Sequence, residues 1–135
     1  MIVFAVIDTN VIISAMLSSH DDAATVRVVE KLFTGEIIPL FNAEILDEYF
    51  DVLHRDKFPF PEDEIRIMLS VFEKYGVYVE TTPCGEALPD MKDLPFYEIA
   101  LERRDRNAYL VTGNIKHFPD KPFIVTASQL LDILK

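Results

Sequence analysis

A short apolar run that stops abruptly on a carboxylic acid constrains the fold most. Val3–Ile7 is entirely apolar and is followed at once by Asp8, Thr9 and Asn10. A strand this short and this apolar is typical of a parallel sheet whose two faces are both covered by helices. Asp8 then lies at the carboxyl end of the strand, the edge where open α/β sheets bind ligands. It could equally cap the helix predicted from Val11.

The rest of the chain alternates strands with helices. Further strands are predicted over 37–40, 77–79, 109–111 and 123–125, and helices over 11–17, 23–33, 42–55, 62–75, 96–104 and 128–134. This alternation indicates βαβ units with right-handed crossovers and a parallel sheet. A length of 135 residues suits one domain with one core. We therefore expect a single α/β domain over residues 1–135.

The composition limits the class of partner and the cellular setting. The chain carries 13 Lys and Arg against 23 Asp and Glu, a formal net charge of −10, which argues against a nucleic-acid coat protein with a broad basic surface. No apolar run approaches the roughly 20 residues of a membrane span, and no leader pattern begins the chain, so we expect a cytoplasmic protein with no membrane partner. Cys84 is the only cysteine, which excludes an internal disulfide and a cysteine-based zinc site.

The helix predicted from Asn42 to about Arg55 carries a second acid of interest. Its apolar stripe comprises Ile45, Leu46, Tyr49, Phe50 and Leu53. Projection at about 100° per residue places Glu48 at the margin of this stripe and Glu44 and Asp51 farther toward water. Glu48 is therefore the acid best placed to face a crevice, although a solvated acidic face explains the same pattern.

Two more acids precede a predicted helix that contains Pro95 near its start. Asp90 and Asp93 lie in Leu88–Leu101, and proline is favoured in a first helical turn because its ring fixes a helical φ angle. Two roles stay open for Asp93. It could cap the helix by accepting backbone N–H bonds, or it could present carboxylate oxygens toward Asp8 across the sheet edge.

Another buried strand ends on short polar side chains. Tyr109–Val111 is followed by Thr112, Gly113 and Asn114, and this strand end would meet Asp8 if the two strands were neighbours. Gly113 permits a tight turn. Thr112 could hold a carboxylate or a water, and Asn114 could offer a neutral oxygen to a cation.

These segments, in this order along nearly the whole chain, resemble the PIN-domain family of ribonucleases, especially its branch of VapC-like toxins. The resemblance rests on VIDTNVIISA, ILDEYFDVLHRDKF, DMKDLPFYEIAL and YLVTGNIKHFP. It implies a three-layer α/β/α sandwich with a mostly parallel central sheet of four to five strands. It also implies that Asp8, Glu48 and Asp93 are metal ligands, and that Asn114 completes the catalytic site where many members carry a fourth acid.

The chemistry of these residue types agrees with that implication. Three carboxylates brought within a few ångströms repel one another, and a divalent cation relieves the repulsion. Oxygen ligands without Cys or His suit Mg²⁺ or Mn²⁺ rather than zinc. Such a cation can orient a water for attack on a phosphodiester and stabilise the leaving oxygen. The sequence therefore predicts an Mg²⁺- or Mn²⁺-dependent endoribonuclease acting on RNA.

Contacts around the predicted ligands are less well defined by the sequence. Candidates for substrate contact or for support of the ligands are Asn10, Asp90, Thr112 and Lys116. Further cations that could reach a phosphate are Arg55, Lys57, Arg103 and Arg104. His117 stays unassigned, because one loop histidine without a second nearby is weak grounds for a ligand or a base.

The resemblance also implies partners, and two other functions stay open. The toxin branch implies inhibition by a small antitoxin protein and assembly as a homodimer, for which Met16 and Leu17 are candidates, although core burial suits both residues. A haloacid-dehalogenase-type phosphatase also places Asp after its first strand, but it needs a second acid where this chain has Asn10. A catalytically degenerate PIN fold that serves as a binding module is the other alternative, and Asn114 is its main support.

Overall fold

A computed structural model describes residues 1–135 of the chain. The five strands are β1 (Val3–Ile7), β2 (Ile37–Phe41), β3 (Val77–Tyr78), β4 (Tyr109–Val111) and β5 (Ile124–Val125). The six α-helices are α1 (Thr9–Leu17), α2 (Ala24–Thr34), α3 (Ala43–Leu53), α4 (Glu62–Tyr75), α5 (Leu94–Glu102) and α6 (Ala127–Ile133). Three single turns of 3₁₀ helix lie at Met91–Asp93, Arg104–Arg106 and Ile115–His117. None of the helices combines the length and the apolar character needed to cross a bilayer.

The sheet is parallel throughout, in the order β3-β2-β1-β4-β5. On one side β1 pairs with β2, with Ala5 opposite Pro39, and on the other side it pairs with β4, with Ile7 opposite Val111. The chain therefore builds outward from β1 in one direction and then in the other. The crevice beyond the carboxyl ends of β1 and β4 is the point where the strand order reverses, which is where open α/β sheets bind ligands.

Helices cover both faces of this sheet, as expected for strands that are apolar throughout. Helix α5 packs on β1, β2 and β4, whereas α2 packs on β2 and contacts α1, α4 and α6. In β1 the side chains of Ala5, Val6 and Ile7 are fully buried. The predicted α/β sandwich with a five-stranded sheet is confirmed, and the sheet is wholly rather than mostly parallel.

Two helix starts show how local residues set the boundaries. The Asn42 side chain accepts a hydrogen bond from the Ile45 N–H at 3.1 Å, so Asn42 caps α3 at the helix start that the sequence predicted. Helix α1 begins at Thr9 rather than near Val11, because Asp8 already occupies the N-cap position with extended backbone. The Asp8 carboxylate makes no capping hydrogen bond there, which leaves it available for other contacts.

The prediction of burial was wrong at the margins of two helices. Phe50 was assigned to the apolar stripe of α3, yet its side chain is 55% exposed. The buried residues of α3 are Ile45, Tyr49, Val52 and Leu53. These lie at helical spacings of four, three and one, so Phe50 falls about 60° beyond the edge of the stripe. Core burial was likewise expected to suit Leu17, but its side chain is exposed.

Helix α4 ends at Tyr75 as predicted, and Gly76 follows it because of close packing rather than a left-handed backbone. Its φ angle is −84°, which any residue can adopt. A Cβ atom at this position would overlap the carbonyl oxygen of Phe72 and would lie 2.9 Å from that of Pro39. Glycine is therefore required because the end of α4 lies directly against β2.

We predict that Gly76→Ala lowers the free energy of unfolding by about 1–3 kcal/mol, because the added methyl group forces α4 away from β2. Urea unfolding at neutral pH measures this change. Gly113→Ala is the matched control, since its Cβ would come no closer than 3.6 Å to a neighbouring atom. Equal stability losses in the two variants would contradict the packing argument.

Candidate functional site

The candidate site is built on the junction between the ends of β1 and β4. Asp8 follows β1 and is 5% exposed, and Thr112 follows β4 and is fully buried. The Thr112 hydroxyl donates a hydrogen bond to Oδ2 of Asp8 at 2.7 Å. A buried carboxylate needs such donors, because burial removes the water that would otherwise stabilise its charge.

The loop after β4 is held against the segment after β1 by two further hydrogen bonds. The Asn114 N–H donates to Oγ1 of Thr112 at 3.0 Å, and the Gly113 N–H donates to the side-chain oxygen of Asn10 at 3.3 Å. Gly113 does not adopt a positive φ angle, and its contact with Asn10 is made by the backbone N–H that any residue except proline supplies. The side chains of Asn114 and Lys116 are exposed beside this junction.

Helix α3 is fastened to the same junction by two consecutive side chains. The Thr9 hydroxyl donates to Oε2 of Glu48, and the Tyr49 hydroxyl donates to the carbonyl oxygen of Ile7. Tyr49 is fully buried, and a buried tyrosine hydroxyl requires such an acceptor. Glu48 is therefore aimed at the end of β1, as its position at the margin of the stripe predicted.

Sequence reasoning missed the roles of Thr9 and Tyr49. Tyr49 was counted only as an apolar residue of the α3 stripe, although its hydroxyl had to find a partner once buried. Thr9 was recognised only as part of the motif after β1. A hydroxyl two residues after a strand end, next to an acid, is the signal that could have identified it.

Asp93 stands at the start of α5, where the structure tests the capping alternative directly. It occupies the N-cap position in a helical backbone conformation and makes no capping hydrogen bond. Its Oδ2 atom is buried and has no hydrogen-bond partner. Nδ1 of His117 lies 3.5 Å from that atom, beyond normal hydrogen-bonding distance. The Asp93 carboxylate is therefore an unsatisfied acceptor beside the junction.

Asp90 has a local role that differs from that of Asp93. Its carboxylate accepts a hydrogen bond from the Lys92 N–H at 3.0 Å and so caps the 3₁₀ turn that precedes α5. Its side chain is exposed. Of the two acids in this segment, Asp90 supplies the cap and Asp93 is left free to face the site.

At this junction Asp8 interacts electrostatically with two acids from distant parts of the chain. The pKa of Asp8 is raised to about 6, chiefly by burial and further by the charges of Asp93 and Glu48, although the Thr112 hydrogen bond opposes the rise. The pKa of Asp93 is also raised, chiefly by burial and then by the charge of Asp90, against the lowering effect of His117. Asp8 is therefore repelled across the crevice by both of the other acids.

The donor atoms at this junction suit a hard divalent cation. Carboxylate oxygens of Asp8, Glu48 and Asp93 face the crevice with no cysteine among them, and Asp93 holds an acceptor without a partner. No group of three or more acidic, His or Cys side chains converges closely enough to hold a metal ion. Mutual repulsion favours this separation. Glu48 and Asp93 would have to move for all three acids to bind one cation.

The sequence also matches a known family over most of its length. The family model of the PIN domain matches residues 5–116. This range contains all four predicted catalytic residues: Asp8, Glu48, Asp93 and Asn114. A comparison with curated proteins finds no match.

We predict that Asp8→Asn stabilises the protein in EDTA at about pH 8 and has almost no effect below about pH 4. The raised pKa of Asp8, about 6 against 3.8, means that its contribution to stability is fully present below the unfolded value and is lost as the pH rises through the folded value. The gain at high pH is at most about 3 kcal/mol.

Urea unfolding of both proteins across this pH range measures the difference. Asp120→Asn, at an exposed acid, is the control and should show no comparable pH dependence. A stability difference between Asp8→Asn and the parent protein that is the same at both ends of the range would disprove the electrostatic account.

Proposed function

Because the chain belongs to the PIN-domain family, whose members are generally nucleases, we propose that it is a metal-dependent endoribonuclease that cleaves RNA phosphodiesters. The observation that supports this most is the buried Asp8 carboxylate at the point where the strand order reverses, close enough to Asp93 and Glu48 for their charges to raise its pKa. PIN domains typically use divalent metals, and the oxygen donors at this junction suit Mg²⁺ or Mn²⁺.

Two of the three acids are oriented by a neighbouring hydroxyl group. Asp8, Asp93 and Glu48 would hold the cation, which when bound supplies a polarised phosphodiester and an oriented attacking water. The Thr112 hydroxyl orients Asp8 and the Thr9 hydroxyl orients Glu48. Burial of Asp8 between the two strand ends keeps solvent away from one side of the site.

The neighbouring polar residues divide into supporting and substrate-facing groups. Asn10 supports the loop after β4, since its side-chain oxygen is already engaged by the Gly113 N–H. Asn114 presents a neutral amide at the edge of the site, and Lys116 places an exposed cation two residues later where it can meet a phosphate. Replacing a fourth acid by Asn114 lowers the negative charge that a second cation would need.

We assign the toxin role in a toxin–antitoxin pair to this nuclease as its biological setting. The VapC-like pattern of its motifs supports this role, as do the exposed apolar side chains that a protein partner would cover. Leu17 and Phe33 are 50% and 40% exposed, and they lie at the C-terminal ends of α1 and α2. A small antitoxin and a second copy of the chain are the proposed partners, in the cytoplasm.

One observation favours a second candidate, a PIN fold that binds nucleic acid or protein without cleaving. The three acids do not converge on one point, and Asn114 brings no charge to help them hold a cation. Metal affinity separates this binding module from the nuclease, because only the nuclease requires the acids to close on a cation.

We predict that the purified protein cleaves single-stranded RNA in Mn²⁺ and that Asp8→Asn or Asp93→Asn lowers the rate by about a hundredfold or more, since each removes a direct ligand. Gel analysis of a labelled RNA measures cleavage. Asp120→Asn is the matched control and should retain the parent rate. A chromogenic phosphomonoester should stay intact, because its hydrolysis would indicate a phosphatase. Equal cleavage by the ligand variants and the parent would contradict the proposal.

We predict further that calorimetry detects Mn²⁺ binding with a dissociation constant below about a millimolar, the range of weak oxygen-ligand sites. Glu48→Gln should weaken that binding, whereas Glu44→Gln, one turn earlier on α3 and exposed, should not. Absence of heat at millimolar Mn²⁺ would favour the binding module.

A further inference from the structure

A cavity of about 500 Å³ opens directly beside Glu48, on the side of the site away from the β4 loop. Its walls are α3, the turn that follows α3, and the 3₁₀ turn that contains Lys92. Lys92 immediately precedes Asp93. The cavity therefore lies between the two chain segments that carry Glu48 and Asp93, and it is continuous with the candidate site.

Two cations line this cavity, and neither forms an ion pair with a carboxylate. Arg55 and Lys92 both contribute to its walls. Every ion pair within 4.0 Å in the protein involves other residues. Asp47 and Asp51 line the same cavity, and neither forms an ion pair within 4.0 Å with Arg55 or Lys92. Both cations are therefore free to contact an anionic group of a ligand.

Phe50, an exposed aromatic residue, also lines this cavity and stands at its border with a second depression between α3 and α4. Phe50 is 55% exposed although it stands on a helix whose other face is well buried. Its ring packs against that of His54 with centroids 4.2 Å apart. The His54 ring is fixed in turn by contacts of 2.7 Å to the Phe50 carbonyl oxygen and 2.6 Å to a Glu62 carboxylate oxygen. Phe50 is therefore a supported, solvent-facing aromatic surface.

We infer that this cavity binds one nucleotide of single-stranded RNA next to the scissile phosphate, with the base stacked on Phe50 and a phosphate held by Arg55 and Lys92. Aromatic side chains combined with nearby cations are how proteins hold single strands without requiring one sequence. This subsite rests on the proposed nuclease function, since Glu48 forms its shared wall with the catalytic site.

The acids in the cavity orient the bound nucleotide. Asp47 and Asp51 repel phosphate, so the phosphate lies toward Arg55 and Lys92. The same carboxylates can accept hydrogen bonds from the amino groups of a base. The base therefore occupies the side of Asp47, Asp51 and Phe50, and the strand continues from there across Glu48 toward the acid cluster.

Fluorescence anisotropy with a labelled single-stranded RNA decamer tests this subsite, with Asp8→Asn as the background in every protein so that no RNA is cleaved. Phe50→Leu should weaken binding about tenfold, as expected for the loss of one stacked base. Phe33→Leu is the matched control, because Phe33 is an exposed aromatic on α2 outside the cavity, and it should change affinity by less than about twofold. Phe50→Tyr should restore tight binding because it keeps the ring.

Salt dependence tests the phosphate contact separately. Arg55→Gln should reduce the slope of log affinity against log salt by about 0.7, the value for one phosphate contact on a single strand. Arg27→Gln, at an exposed arginine on α2, should leave the slope unchanged.

Several results would overturn the subsite: equal effects of Phe50→Leu and Phe33→Leu, a Phe50→Tyr variant as weak as Phe50→Leu, or equal affinity for an abasic decamer. Absence of RNA binding by all variants would also overturn it.

Cleavage by the parent protein is measured in parallel. If the parent cleaves RNA and the anisotropy results fail, only the subsite is rejected. If the parent does not cleave, the nuclease proposal is rejected together with the placement of the subsite beside a scissile phosphate, and the anisotropy results decide only whether the cavity binds RNA.

Discussion

The hydrogen bond from Thr112 to Asp8 joins the two halves of this molecule at the place where its strand order reverses. The bond exists because β1 and β4 are direct neighbours in a parallel sheet, so both strands end at the same edge. From this junction Thr9 reaches Glu48, and Tyr49 reaches the last carbonyl group of β1. Residues separated by about a hundred positions in sequence thus share one small crevice, and the chemistry of the candidate site depends on that adjacency.

This arrangement places like charges close together in a chain that is already acidic. The negative charge affects how RNA could approach the site. Burying Asp8 near two other acids raises its pKa to about 6, and the whole chain has a net charge of −10. Long-range attraction of a polyanion is therefore weak, and association depends on local cations and on salt concentration. Arg55 and Lys92 on one side of the crevice and Lys116 on the other are the cations that the fold places next to the acids.

The sequence was enough to predict the fold and the segments that form the candidate site, because both depend on local patterns. Apolar runs that end on polar residues predicted the strands and their shared edge, and Asn42 predicted the start of α3. It could not decide contacts set by side-chain direction. Phe50 belongs to an apolar pattern but lies outside the buried stripe, and the bond from Tyr49 to Ile7 joins residues far apart in sequence. The position of His117, 3.5 Å from Asp93, likewise depends on how the β4 loop folds back over α5.

The central claim is that three acids from β1, α3 and the start of α5 form one metal site. A crystal structure of the protein soaked in Mn²⁺, with the metal located by its anomalous scattering, tests this claim most directly. The account predicts one Mn²⁺ ion bound between the carboxylates of Asp8 and Asp93, with Glu48 as a ligand directly or through a water. Anomalous density at another place, or none near Asp8 at millimolar Mn²⁺, would contradict it.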